Sequence, residues 1–238
     1  MQGYRRSGTA ESRDVEQGHG AALPPAGRRR RCMSDWRTVE AGRALLKQVW
    51  MRLFVDIEKT AYQDDCRRLE RAYAVEDPWH LSSAREALRY KAMSEMILEH
   101  CGRLRSLLEI GSGEGHHTQF LEAVADEVVG LEVSEKAIAR ARKRCLHAKF
   151  VRGHFPDLPD EIRHRFDLVV ASEVLYYIRD LDAAVDMMNQ CGTFCLASCY
   201  AREIERIHAA VSHLPMLAQK DLRFDSMSYR VYLWRSGH

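Results

Sequence analysis

The chain has 238 residues, 46% of them hydrophobic and 29% charged, which is enough apolar material for one ordinary domain with extra length at its ends. A formal net charge of +2 is too small to mark a nucleic-acid binder, and no apolar run reaches the ~18 residues that a membrane helix needs. Seven cysteines with no Cys-x-x-Cys pair exclude the usual zinc and redox motifs, and suit core thiols in a reducing, cytoplasmic compartment.

Residues 1–32 hold Gly, Ser, Pro and Arg with almost no periodic apolar content, and are expected to be a disordered tail. They lack the apolar core of a secretory signal. Met33 opens a more ordered stretch. Trp36, Val39, Leu45, Leu46, Val49, Trp50, Leu53, Phe54 and Ile57 recur at helical spacing. Residues 33–75 are therefore read as a helical extension or lid, ahead of a main domain at 76–238. Pro78 ends that helix, and Ser82 or Ser83 caps the next, with Glu86 near its third position. Gly102 closes it.

From Arg105 the pattern alternates. Strands are predicted at 105–110, 127–132, 148–152, 166–171, 192–199, 219–225 and 228–236, and helices at 115–124, 134–145, 181–190 and 201–212. Such alternation predicts an α/β fold, a Rossmann-like seven-stranded, mostly parallel sheet with helices on both faces. The last two strands are joined by a short turn, so they form an antiparallel hairpin. Cys191, Cys195 and Cys199 are read as one face of a buried strand, too far apart for one metal.

The run Leu107-Leu108-Glu109-Ile110-Gly111-Ser112-Gly113-Glu114-Gly115 places three alternate glycines between a strand and a helix. Glycine permits positive φ and leaves no side chain in a ligand's way, and the helix start offers free N–H groups. A second strand ends in Glu132, a carboxylate able to accept both ribose hydroxyls. Dinucleotide sites space their glycines Gly-x-Gly-x-x-Gly. Here the third glycine comes one residue early, and Glu109 would repel a pyrophosphate while attracting the ammonium of a methionine moiety. Electrostatics favours S-adenosylmethionine.

These segments, from about Tyr73 to Trp234, resemble the class I S-adenosylmethionine-dependent methyltransferases. The resemblance implies that Glu109, Gly111, Ser112, Gly113 and Gly115 hold the methionine end, Glu132 the ribose, and Val133 the edge of adenine. His154 stands where the family usually has an acidic residue, which leaves the adenine to backbone groups of His154 and Phe155. Ser172-Glu173-Val174-Leu175-Tyr176-Tyr177 and Asp77-Pro78-Trp79, followed by Glu86, Arg89 and Tyr90, look most like the nodulation protein S group of N-methyltransferases. That implies Trp79 and Tyr73 as cover, Arg89 as partner of the methionine carboxylate, and Ser172 beside the cofactor.

Methyl transfer from a sulfonium needs an aligned, neutral nucleophile and a group to take its proton. Glu173 is the first candidate for that group, with Tyr176 walling the pocket and His208, singled out by the resemblance alone, as a weaker candidate. His116 and His117 are adjacent, so they point to different helix faces, and no metal is expected. The expected function is N-methylation of a small molecule such as an amino sugar, with no membrane partner. O-methylation, nucleic-acid methylation and a non-catalytic binding role are the alternatives. The Asp/Asn-Pro-Pro-Tyr/Phe segment of base-amine methyltransferases is absent after the fourth strand.

Overall fold

The computed structural model describes Gly42 and residues 66–237. Of the two units into which the chain divides, Met1–Gly42 and Arg43–His238, the second holds everything that follows. The tail expected at 1–32 and nearly all of the helix expected at 34–73 lie outside the described residues. Within the described part of that range lies α1 (Cys66–Ala72), which stops short of the turns leading through Pro78.

Ser83 caps α2 (Ala84–Cys101), accepting from the Glu86 amide at 3.4 Å. The expected return bond from Glu86 does not form, because its carboxylate turns inward to Arg89 and Tyr229. Gly102, at φ 72°, ends the helix. Strands β1 (Leu104–Ile110), β2 (Ala125–Glu132), β3 (Lys149–Arg152), β4 (Phe166–Ser172) and β5 (Gly192–Tyr200) are parallel. The hairpin β6 (Met216–Phe224) and β7 (Met227–Arg235) completes a sheet of order β3-β2-β1-β4-β5-β7-β6, with β7 antiparallel to both neighbours. The intervening helices are α3 (Thr118–Leu121), α4 (Glu135–Arg144), α5 (Leu181–Cys191) and α6 (Ile204–Val211).

The central strands are apolar on both faces, as strands sandwiched between helices must be. Ile110, Leu131, Val169 and Cys195 pack on the side of α5 and α6, and Leu107, Val128, Leu168 and Leu196 on the side of α2. Burying a leucine such as Leu107 or Leu168 completely stabilises the fold by about 1.5–3 kcal/mol. Trp234 is fully buried and donates its indole N–H to Asn189 at 2.8 Å, which fixes the last strand against α5.

Three expectations need correction. The helix predicted at 115–124 shrinks to the four residues of α3, because Ala123 and Val124 bond three residues back and swing the chain into β2. Cys191 is the last residue of α5 rather than part of a strand, so only Cys195 and Cys199 share a strand face. Strand β6 begins at Met216, three residues early, through an irregular register between Met216 and Ala218.

Candidate active site

A cavity of about 650 Å³ opens at the carboxyl ends of the parallel strands, bordered by β1, β2 and β4 and the loops that leave them. That is where open α/β sheets bind ligands, and the volume falls in the range of small-molecule sites.

The glycine turn forms one wall. Gly111, Gly113 and Gly115 all have positive φ. Each also meets a different neighbour. A methyl on Gly111 would lie 2.6 Å from Val174, and one on Gly113 would lie 2.9 Å from the Tyr73 hydroxyl. On Gly115 it would strike Cys145 and Ala141 of α4 at 3.0–3.2 Å. Gly111 and Gly113 line the cavity, whereas Gly115 faces α4 and does not. The free amides expected at a helix start are largely used within the protein. The Gly111 and Ser112 amides donate to Leu131, and that of Gly115 donates to Ser112. Ser112 lines the cavity, and its buried hydroxyl has no hydrogen-bond partner among the described residues.

Glu132 is held by three backbone amides. Gly113 donates to Oε2 at 2.9 Å, while Val133 and Ser134 donate to Oε1 at 2.8 and 3.0 Å. Burial pushes its carboxyl pKa up, against the pull of those amides. A carboxylate has about four acceptor sites, so three amides leave room chiefly on Oε2. Glu109 is also buried, with Thr118 donating to Oε2 at 2.5 Å and His117 Nδ1 lying 3.2 Å from Oε1. His117 stacks on Tyr90, and burial lowers its pKa, keeping the imidazole neutral. Val133, His154 and Phe155 border the far end of the cavity.

The other end is built around Glu173, which sits just past β4 at φ 58° with its amide donating to the Ser198 carbonyl. Its Oε1 accepts from the Ser198 hydroxyl at 2.9 Å and its Oε2 from the Tyr176 hydroxyl at 3.3 Å. Arg89 Nη1 lies 3.7 Å from Oε1. Burial raises the Glu173 carboxyl above its ordinary pKa, and the nearby guanidinium only partly opposes this. Arg89 itself is 1% exposed. It donates to Glu86 at 2.7 Å, to Ser172 at 2.7 Å and to Ser198 at 3.2 Å. Glu86 also accepts from Tyr229 at 2.8 Å, and its pair with Arg89 pulls its pKa down against burial. Ser172, Tyr176 and Arg89 line the same cavity.

The segment after α1 covers the turn. Tyr73 packs edge-on against Trp79 at 5.0 Å, and both line the cavity. Glu114 ties this cover down. Its carboxylate accepts from the Asp77 amide at 3.0 Å and from Arg140 at 2.5 Å, and Arg140 also donates to the Val75 carbonyl at 3.0 Å. Asp77, Glu114 and His116 are also the group among the described residues whose donor atoms have metal-ligand spacing.

The structure thus brings together Glu109, Glu132, Glu173, Tyr176, Arg89 and Trp79 with the glycine turn. It does not bring in His208, which is exposed on α6 and stacks against Tyr232 at 5.9 Å, outside the cavity. Sequence reasoning missed Glu114, Arg140 and Ser198. Glu114 stood in the glycine run as a visible charge, but nothing local linked Arg140 or Ser198 to it.

A sheet of this order, with a glycine turn after β1 and a carboxylate at the end of β2, is the Rossmann-like fold of class I methyltransferases. The chain belongs to the Nodulation protein S (NodS) family, whose profile matches residues 62–198, more than half its length. Nodulation protein S of Bradyrhizobium diazoefficiens is 36% identical over 115 residues, covering 48% of this chain and 54% of that protein. That of Sinorhizobium fredii is 33% identical over 117 residues, covering 48% and 54%. The chain therefore spans about half the length of the curated relatives it matches. The crystal structure of N-methyltransferase NodS from Bradyrhizobium japonicum WM9 in complex with S-adenosyl-L-homocysteine superposes with a TM-score of 0.64 at 23% identity, covering 74% of this chain and all of that one.

Proposed function

We propose that this chain is an S-adenosylmethionine-dependent methyltransferase that methylates an amine on a small molecule. The observation that carries this reading is one cavity with two differently held carboxylates, Glu132 fixed by backbone amides at one end and Glu173 held by side-chain hydroxyls and the Arg89 guanidinium at the other. S-adenosylmethionine supplies the methyl group as an electrophile. On this reading Glu132 accepts a ribose hydroxyl on Oε2, and Glu109 faces the ammonium of the methionine moiety. Arg89 makes no hydrogen bond from Nη2 among the described residues, which leaves that group for the methionine carboxylate. Val133, His154 and Phe155 border the adenine. Tyr73 and Trp79 exclude water, which strengthens the electrostatics inside.

Glu173 takes the acceptor amine's proton, and Tyr176 walls its pocket. A carboxyl whose pKa burial has raised is better matched to that task than an ordinary glutamate. The NodS family and the N-methyltransferase with the same fold support an amine rather than a hydroxyl acceptor. No helix among the described residues is long and apolar enough to cross a membrane, and the six described cysteines are free thiols. The free thiols support a reducing, cytoplasmic compartment. Calorimetry with S-adenosylmethionine, followed by a screen of amine and hydroxyl acceptors for S-adenosylhomocysteine release, tests the reading. Saturable binding with turnover on amines alone is expected, and turnover confined to hydroxyls would overturn the amine assignment.

A further inference from the structure

His116 lies beside the turn, 8% exposed, and its Nε2 is buried without a hydrogen bond. Buried imidazole nitrogens are rarely left so, and an unsatisfied one asks for a partner. The nitrogen points between two carboxylates, 3.5 Å from Glu114 Oε2 and 3.9 Å from Asp77 Oδ1. All three donor atoms lie within 4.8 Å of one another. We propose that Asp77, Glu114 and His116 form a divalent-cation site, best suited to zinc, that clips the segment carrying Tyr73 and Trp79 onto the glycine turn.

The spacing fits. Around tetrahedral zinc, with bonds of about 2.1 Å, ligand atoms sit about 3.4 Å apart. The separation of 3.5 Å already meets that, and the one of 3.9 Å asks Asp77 Oδ1 to move by about half an ångström.

The carboxylates are oriented as metal ligands are, by outer-shell bonds. Arg140 holds Glu114 by Oε1, and the Asp77 amide, 3.0 Å from both oxygens, sets Oε2 facing His116. Asp77 is fixed by the Leu81 amide at 2.6 Å on Oδ1 and by Ser82 at 2.6 Å on Oδ2. One imidazole and two carboxylates suit zinc, and three protein ligands leave a fourth position for water. There is room for that water, because His116 also borders a second cavity of about 290 Å³ shared with Leu81 and Gln119. The expectation that no metal binds here rested on His116 and His117 pointing apart. They do, and the site needs only His116, because the fold brings Asp77 from 39 residues away in sequence.

The site is independent of the methyl-transfer reading, and its test does not use activity. The full chain, stripped of metal by chelation, is titrated with zinc by calorimetry and melted with and without it. One zinc per chain is expected, with a rise in Tm of roughly 5–10 °C at a hundredfold excess over Kd. Cobalt in place of zinc reports the donors. Visible d–d bands without a thiolate-to-metal charge-transfer band are expected, since Cys66 and the other thiols take no part. Asp77→Asn keeps the shape of the loop, and His116→Gln keeps much of the imidazole's volume. Each should weaken zinc binding at least tenfold, with folding of both checked by circular dichroism. Should one variant fail to fold, the other carries the test. No saturable zinc binding, a thiolate band, or unchanged affinity in a folded variant would overturn the proposal.

Discussion

Glu173→Gln separates the role of a proton acceptor from that of a scaffold. In the wild type Oε1 accepts from Ser198 at 2.9 Å and Oε2 from Tyr176 at 3.3 Å. A glutamine oxygen can replace one of these acceptors. If its NH₂ group faces Ser198, that hydroxyl can turn to Ser172, already 3.1 Å away. Every polar atom stays satisfied, so the structural cost should be within about 1 kcal/mol. The charge change works the other way. Burial raises the carboxyl's pKa in the folded state, so its contribution to stability is full below the unfolded pKa and is lost as pH rises through the folded value. Above that value the wild type has lost it, and the glutamine variant has nothing to lose. Its Tm should match or exceed the wild type's at the alkaline end of a pH series, and that advantage should shrink in acid. Activity should fall by about 10²–10⁴ in kcat, some 3–5 kcal/mol of barrier, which is the usual weight of a positioned base. The assay is S-adenosylhomocysteine release with an amine acceptor across pH. The wild type should lose rate in acid as Glu173 takes up its proton, and the variant should lack that limb. A variant with kcat within threefold of wild type refutes the reasoning. So does a Tm that falls in parallel with kcat while the acid limb persists, because Glu173 would then act only by holding Arg89.

Arg89→Met should be among the most damaging changes, since it leaves Glu173 buried without its guanidinium and Glu86 with only the partly exposed Arg85, 3.3 Å away. A loss of about 3–5 kcal/mol corresponds to roughly 6–20 °C in Tm by scanning calorimetry, and a loss under about 1 kcal/mol would show the network to be loosely solvated. Gly113→Ala combines a positive φ, worth about 1–2 kcal/mol, with a methyl 2.9 Å from the Tyr73 hydroxyl. S-adenosylmethionine affinity should drop about tenfold by calorimetry, and adding Tyr73→Phe should restore part of it; no recovery would rule out the collision as the cause. His208→Ala should change neither cofactor binding nor turnover by more than twofold, whereas a tenfold loss would return His208 to the reaction.

The sheet was legible because each central strand announces itself locally. Leu107–Ile110, Val128–Leu131 and Phe166–Ala171 are short apolar runs bounded by turn residues, and helices separate them. The candidate site was legible wherever one residue sits at a fixed offset from such a strand. Glu109, the glycine turn, Glu132 and Glu173 are all set by strand ends. What was not legible depends on chain segments far apart in sequence. Arg140 on α4 meets Glu114 and the Val75 carbonyl across a gap of 65 residues, and Tyr229 on β7 meets Glu86 across 143. Gly115 looked like part of a ligand loop because it shares the spacing of Gly111 and Gly113. Its reason for being glycine is the approach of α4, which no local pattern reveals. The helix after the turn was overestimated for a related reason. Its apolar spacing continues through Leu121, but the chain must turn at once so that the Val124 carbonyl can accept from Leu104 at the foot of β1.

The negative field set up by Glu109 extends along the whole cavity. Glu109 and Glu132 are 2% and 6% exposed, Glu173 lies at the opposite end, and burial raises the carboxyl pKa of Glu132 and of Glu173. Arg89 answers part of this charge, but its bonds run to Glu86 and the two serines, and His117 is kept neutral. The fold therefore holds several carboxylates in a poorly solvated space that their protein partners do not fully neutralise. A pyrophosphate entering that space would add like charge, at about 4 kcal/mol per pair 4 Å apart in a medium of effective dielectric ~20. A ligand bearing a sulfonium and an ammonium relieves the same field. Transfer of the methyl group removes the sulfonium charge and so removes part of the attraction, which favours release of the demethylated product over its precursor. The three carboxylates Glu109, Glu132 and Glu173 thus favour a cationic ligand over a pyrophosphate, and favour it more before its sulfonium charge is lost than after.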